Sequence, residues 1–131
     1  MELLVRGFPV LKGQEAQVRA FAAEMQSSRA DEAAAFYRRM GITHESWHVQ
    51  EQPDGLWVIA VTRFSTRPMA TAAEDYATST QSFDRWFKEQ VKRVTGVDPG
   101  TTPLGPPTEC IFHMHAEPEH AGHTGDGAQA L

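Results

Sequence analysis

Four histidines crowd the stretch "ECIFHMHAEPEHAGH", and their spacing separates them into two kinds. His113 and His115 are two residues apart, so on a strand both imidazoles leave the same face about 7 Å apart, within reach of one metal ion. Glu45 or His48 could supply a third ligand, and two histidines with a carboxylate suit non-haem iron, zinc or copper. The plainer reading of the pair is two polar residues on a strand near the chain's end. His120 and His123 lie beyond Pro118 beside Glu117 and Glu119, where a solvated tail is expected. His44 and His48 would stand about 13 Å apart along a strand, too far to chelate one ion within one chain. Either can act as a general base, because histidine titrates near neutrality. No glycine-rich phosphate loop, nucleophile elbow or CxxC pair is present, which excludes the common nucleotide, hydrolase and thiol-redox chemistries.

Positioning these residues requires a fold, and the chain punctuates itself clearly. With 131 residues, one domain with a real core is expected. A formal charge of −5 without a basic block argues against nucleic acid as a partner. The longest apolar runs, such as "LWVIAV", are strand-length, so no membrane span is expected. The start "MELLVRGFPVLKG" reads as no signal peptide, and the lone Cys110 allows no intrachain disulfide, so cytoplasmic is the default. Glu2–Pro9 is apolar and ends at proline, a first strand. Val18, Phe21, Ala22 and Met25 recur at helical spacing, and "DEAAAFYRRMG" continues as a second helical piece with Gly41 just beyond its end. "ITHESWHVQEQ" and "LWVIAVTRF" flank "PDG", a hairpin signal. Pro68 to Thr80 and Ser82 to Val94 read as helices, the latter with Phe83, Trp86, Phe87, Gln90 and Val94 on one face. A loop rich in glycine and proline then leads to a final strand, "TECIFHMH". Residues 1–116 are expected to form the domain and 117–131 a flexible tail.

The order βαββαβ, class α+β, is the split arrangement of the ferredoxin-like fold: a four-stranded antiparallel sheet with helices on one face. The bare face needs a cover, and a second copy of the sheet would provide it as a twofold dimer. Side-chain parity predicts what that face holds. Cys110, Phe112 and Met114 of the last strand suit the core, which turns His113 and His115 outward. Leu3 and Val5 suit the core in the first strand, leaving Leu4, Arg6 and Phe8 opposite. In the third, Val58 and Ala60 face the helices while Trp57, Ile59, Val61 and Arg63 do not. A three-residue loop Pro53–Gly55 pairs Glu45 with Arg63 and Trp47 with Val61, the preferred register. A two-residue loop, Asp54-Gly55, would shift that register by one and instead bring His44, Ser46 and His48 onto the Arg63 face. The preferred reading gathers Arg6, Arg63, His113, His115 and Glu45 among Phe8, Trp47, Trp57 and Ile59 on the bare face. An aromatic wall with a few convergent polar groups suits a small-molecule site.

At "GITHESWHVQEQPDGLWVIAV" and "STQSFDRWFKEQVKRVTGVDP" the chain resembles a family of small uncharacterised bacterial proteins. The matching residues are Gly41, Ile42, Glu45, Pro53, Asp54, Gly55, Ser79, Phe83, Asp84, Trp86, Phe87, Gly96, Val97 and Asp98, and the likeness covers roughly the first hundred positions. The family resembles a branch of the dimeric α+β barrel superfamily, which includes cofactor-independent monooxygenases, polyketide cyclases, haem-degrading proteins and stress-response proteins. The resemblance implies a homodimer acting on an aromatic or polyketide-like molecule by oxygenation or cyclisation, with no organic cofactor. His48 or His113 would take a proton, and Arg6 or Arg63 would hold the oxyanion. The expected catalytic set is thus His48, His113, Arg63 and Glu45, with Arg6, Phe8, Trp47, Trp57 and Ile59 binding substrate. The alternatives are a non-catalytic ligand-binding or stress-response dimer, and a metal-dependent enzyme using His113 and His115. The His-x-His pair and the tail are not family features.

Overall fold

The structure, a computed structural model, describes residues 2–65, 69–102 and 108–116. Strand β1 (Glu2–Pro9) is followed by α1 (Glu15–Met25) and α2 (Ala30–Arg39). The hairpin strands β2 (Ile42–Gln52) and β3 (Gly55–Phe64) come next, then α3 (Met69–Thr78) and α4 (Ser82–Thr95). Each helix buries the apolar face its spacing defines: Val18, Phe21 and Met25 from α1, Ala33 and Phe36 from α2, and Phe83, Phe87, Val91 and Val94 from α4. Helix α2 reverses into β2 through Gly41, whose φ of 75° disfavours any side chain. Phe21, Phe36, Phe83 and Phe87 form the aromatic centre of the core, with Phe36 and Phe87 ring centroids 4.9 Å apart.

Among the described residues the sheet has three strands in the order β1-β3-β2, all antiparallel. Leu56, Val58, Ala60, Thr62 and Phe64 face the helices, as expected. The other two strands differ from expectation. In β1, Leu4 opposes Thr62, Arg6 opposes Ala60 and Phe8 opposes Val58, so these residues look toward the helices, and Leu3 and Val5 toward the bare face. Both sets contain apolar residues, and Arg6 biased the reading outward; the arginine is inside because it lines a cavity. In β2, the loop is the two-residue Pro53-Asp54, with Gln52 opposite Gly55. Gly55, at φ 131°, takes a conformation open in practice only to glycine. That register is neither expected one, since the loop is neither Pro53–Gly55 nor Asp54-Gly55. It places Glu45, Trp47 and Val49 opposite Thr62, Ala60 and Val58. His44, Ser46 and His48 share the other face with Arg63, Val61 and Ile59.

The expected fourth strand is corrected as well. The backbone N–H and hydroxyl of Thr108 both donate to the Val5 carbonyl, so the chain arrives at the free edge of β1, where a fourth strand would pair. The ladder stops there, and residues 108–116 form no strand. Ile111, Phe112 and Met114 stand 87%, 75% and 67% exposed, because within one chain they meet no apolar surface.

Candidate functional site

A cavity of about 200 Å³ lies between the helix-facing side of the sheet and the helices. Leu4, Arg6 and Phe8 from β1, Glu45 and Trp47 from β2, and Ala60 and Thr62 from β3 form its floor. Phe21, Phe36, Tyr37, Tyr76 and Phe87 close it from above. The walls are mostly apolar, and the few polar groups converge.

Glu45 is the centre of that polar group. Trp47 donates its indole N–H to one carboxylate oxygen at 2.7 Å, and Thr62 donates its hydroxyl to the other at 2.6 Å. The alternation of β2 puts Glu45 and Trp47 on one face, and the register sets Thr62 opposite Glu45. Burial pushes the Glu45 carboxyl above its ordinary value of 4.5, against the bonds from Thr62 and Trp47 and the nearby charge of Arg6, which favour ionisation. Arg6 enters the same space, and its buried Nε has no hydrogen-bond partner among the described residues. Burial raises Tyr37 well above its ordinary value, with the Glu45 charge adding to it. Burial likewise holds Tyr76 a neutral phenol, although Arg6 opposes the shift. A second hollow of about 390 Å³ between α1, α2 and β2 shares Tyr37, Glu45 and Trp47 with the first. The carboxyl therefore borders two spaces.

The raised Glu45 carboxyl has a definite consequence for stability. Below its unfolded value the carboxyl is protonated in both states and contributes nothing to pH dependence. As pH rises above that value the unfolded chain ionises first, so the native state loses stability up to the folded value. The stability of wild type minus that of Glu45→Gln should therefore fall as pH rises through the range just above 4.5. Urea titrations of both proteins across that range check this; a difference that grows with pH would contradict it.

A second polar cluster ties helices together. Asp84 is fully buried and takes two bonds from Arg39, each 2.9 Å, and one from the Ser79 hydroxyl at 2.6 Å. Burial pushes its carboxyl up, but the bonds from Arg39 and Ser79, with the charges of Arg39 and Lys88, outweigh that and hold it below its ordinary value. Lys88 also donates to the carbonyls of Ala77 and Ser79.

The residues singled out in the sequence divide by location. Arg6, Phe8, Glu45 and Trp47 surround the cavity. Arg63, Ile59, Trp57 and His48 lie on the opposite face of the sheet, so the expected pairing of Glu45 with Arg63 does not form. Trp57 donates its indole N–H to Asp54 in the hairpin turn. His113 and His115 stand in the exposed segment after Thr108, ring centroids 4.9 Å apart. Among the described residues no group of three or more His, Cys, Asp or Glu side chains could hold a metal ion. His120, His123 and the expected tail lie outside the described residues. Sequence reasoning missed Tyr37, Tyr76 and Thr62 as cavity residues. The only signal was a tyrosine on each of two helices and a threonine in an apolar strand, all of which also suit a plain core.

Comparison with known proteins places this geometry. The chain belongs to a family of unknown function (DUF6176), which matches residues 1–120. It shares its fold with the crystal structure of L-rhamnose mutarotase from Formosa agariphila, at a TM-score of 0.58 and 16% identity, covering 88% of this chain and 100% of that one. At that identity the likeness concerns the fold, an antiparallel sheet with helices in the ferredoxin-like manner. No functionally curated protein matches. No helix among the described residues is long and apolar enough to cross a membrane.

Proposed function

We propose that this DUF6176 protein is an enzyme that moves a proton on a small, largely apolar carbonyl compound, with Glu45 as the acid–base group. The observation that carries this is the part-buried Glu45 carboxyl, raised above its ordinary value and fixed by Trp47 and Thr62 at the edge of an otherwise apolar cavity. A carboxyl whose pKa burial raises is a stronger base than one in water once ionised, and it recovers its proton more readily. Arg6, with an open donor in the same cavity, can stabilise the enolate oxygen that proton removal creates. Enolisation is the shared first step of tautomerisation and of cyclisation. It also precedes reaction of a carbanion with dioxygen, so both chemistries implied by the family resemblance begin here. The fold neighbour is named for isomerising a sugar, yet an apolar wall with so few polar groups offers poor recognition of a polyhydroxylated ring. A cavity of about 150 Å³ is known to hold benzene, so this one suits a single substituted ring rather than a fused polyketide.

The test is hydrogen exchange. Aryl ketones, 2-oxo acids and 1,3-dicarbonyls are incubated with the protein in deuterium oxide and followed by proton NMR. Accelerated loss of the α-proton signal is expected for at least one class, and its absence across all three would leave a binding role as the better reading.

We also infer a homodimer, as the patterning of the sheet already implied. The bare face carries Val5, Trp57, Ile59 and Val61 with no helix of the described residues over it, and Leu3 stands 55% exposed. An apolar face of that kind beside an exposed apolar arm is what a second copy would cover. Ile59→Asp should convert the dimer to a monomer, because a charge there would be buried without a partner. Light scattering checks both proteins; a wild-type monomer at micromolar concentration would contradict the assembly.

A further inference from the structure

We infer that the molecule held in this cavity is a carboxylate bearing one ring or a short apolar chain, its anionic end bound by Arg6. The inference rests on the reading of the cavity as a small-molecule site and adds the chemical class of the ligand. Arg6 projects from β1 into a space whose walls are mostly apolar, and its Nε is buried with no partner among the described residues. A guanidinium cannot shed its proton to escape this situation, as a lysine could, so its charge must be balanced by something. The carboxyl that lines the cavity with it is Glu45, and both of its oxygens are already engaged by Trp47 and Thr62. No hydrogen bond joins Glu45 to Arg6; the two meet only through their charges, which leaves the Nε donor unanswered.

An occupant's own charge would answer it. Of the common anions, a carboxylate matches the available donors best. Nε and an adjacent Nη of a guanidinium form a planar fork for two carboxylate oxygens. A phosphate would need several further cations or amide donors, and the cavity brings one arginine. The neutral Tyr76 phenol, which feels the charge of Arg6, lines the same space and offers a hydroxyl donor. The remaining volume, walled by Phe8, Phe36 and Phe87, has room for about one ring by comparison with cavities that hold benzene.

The experiment is calorimetric titration of the full chain with benzoate, benzamide and toluene, three single-ring probes that differ only in the polar end. Benzoate should bind about 10- to 100-fold more tightly than benzamide, the worth of one charge-assisted pair. Arg6→Met should erase that preference while leaving toluene binding, and Arg6→Lys should restore part of it. Equal affinity for benzoate and benzamide in the wild type, or a preference that survives Arg6→Met, would overturn the inference. Toluene binding without a benzoate preference would remove the carboxylate and leave the cavity reading intact. Failure of all three probes would remove both. The wild-type comparison decides the matter even where a variant fails to fold.

Discussion

Glu45→Gln is expected to slow proton exchange at the substrate carbon by about 10²–10⁴-fold, the usual worth of a positioned general base. The amide is nearly isosteric, so the loss should not come from collapse. Its oxygen can still accept from the Trp47 indole, and the Thr62 hydroxyl can turn from donor to acceptor toward the amide N–H. What disappears is the ability to take a proton. The wild-type rate should rise with pH through the range where Glu45 ionises, above its ordinary 4.5, and then level off. The Gln variant should show no such rise. Rates are read by the deuterium-exchange assay with a compound the wild type processes. An undiminished rate in the variant would show that another group takes the proton.

The second large effect is on stability. Asp84→Asn should cost about 2–4 kcal/mol, because breaking a buried ion pair strands its partner. The arginine's side chain keeps 36% of its exposure, so water recovers part of the loss and the cost stays below that of a fully enclosed pair. Three bonds converge on this carboxylate from α2 and from the residue after α3, so its loss loosens the helical layer over the cavity. Because the carboxyl is held below its ordinary value, its contribution is complete above that value. It is lost as pH falls through the lower folded one. Urea unfolding at neutral pH and in acid should therefore separate the two proteins most at neutral pH. An Asn variant as stable as wild type at neutral pH would show that the network contributes nothing. Ser79→Ala, which removes one bond and leaves the ion pair, should cost about 1 kcal/mol.

Much of the fold was legible because hydrophobic period is a strong signal. The face of α4 through Phe83, Phe87 and Val94 and the inward set of β3 were readable from spacing alone. Parity was not readable where both faces of a strand carry apolar residues. Leu3 and Val5 compete evenly with Leu4 and Phe8, and Trp47 and Val49 suit either neighbour set on β3. The places of two polar residues follow from those choices. Arg6 reads as bare-face once Leu3 and Val5 are taken as core, and Glu45 once the loop is taken as three residues, yet both line the cavity. Nothing in the sequence couples Asp84, in the first turn of α4, to Arg39, 45 positions earlier. The segment after Thr108 has the alternation of a strand, but alternation names only a capacity to pair. Within one chain, past Thr108, that capacity goes unused.

The side of the sheet on which the site lies can be read from two tryptophans. The Trp47 indole N–H bonds to Glu45 in the cavity, and the Trp57 indole N–H bonds to Asp54 in the hairpin turn, on a side chain of the bare face. Protein labelled with ¹⁵N at its tryptophan indoles is titrated with acetophenone, a neutral one-ring ketone small enough for the cavity. The Trp47 indole signal is expected to shift in a saturable way while the Trp57 signal stays in place. A shift of Trp57 with Trp47 unmoved would put the site on the bare face and contradict the account.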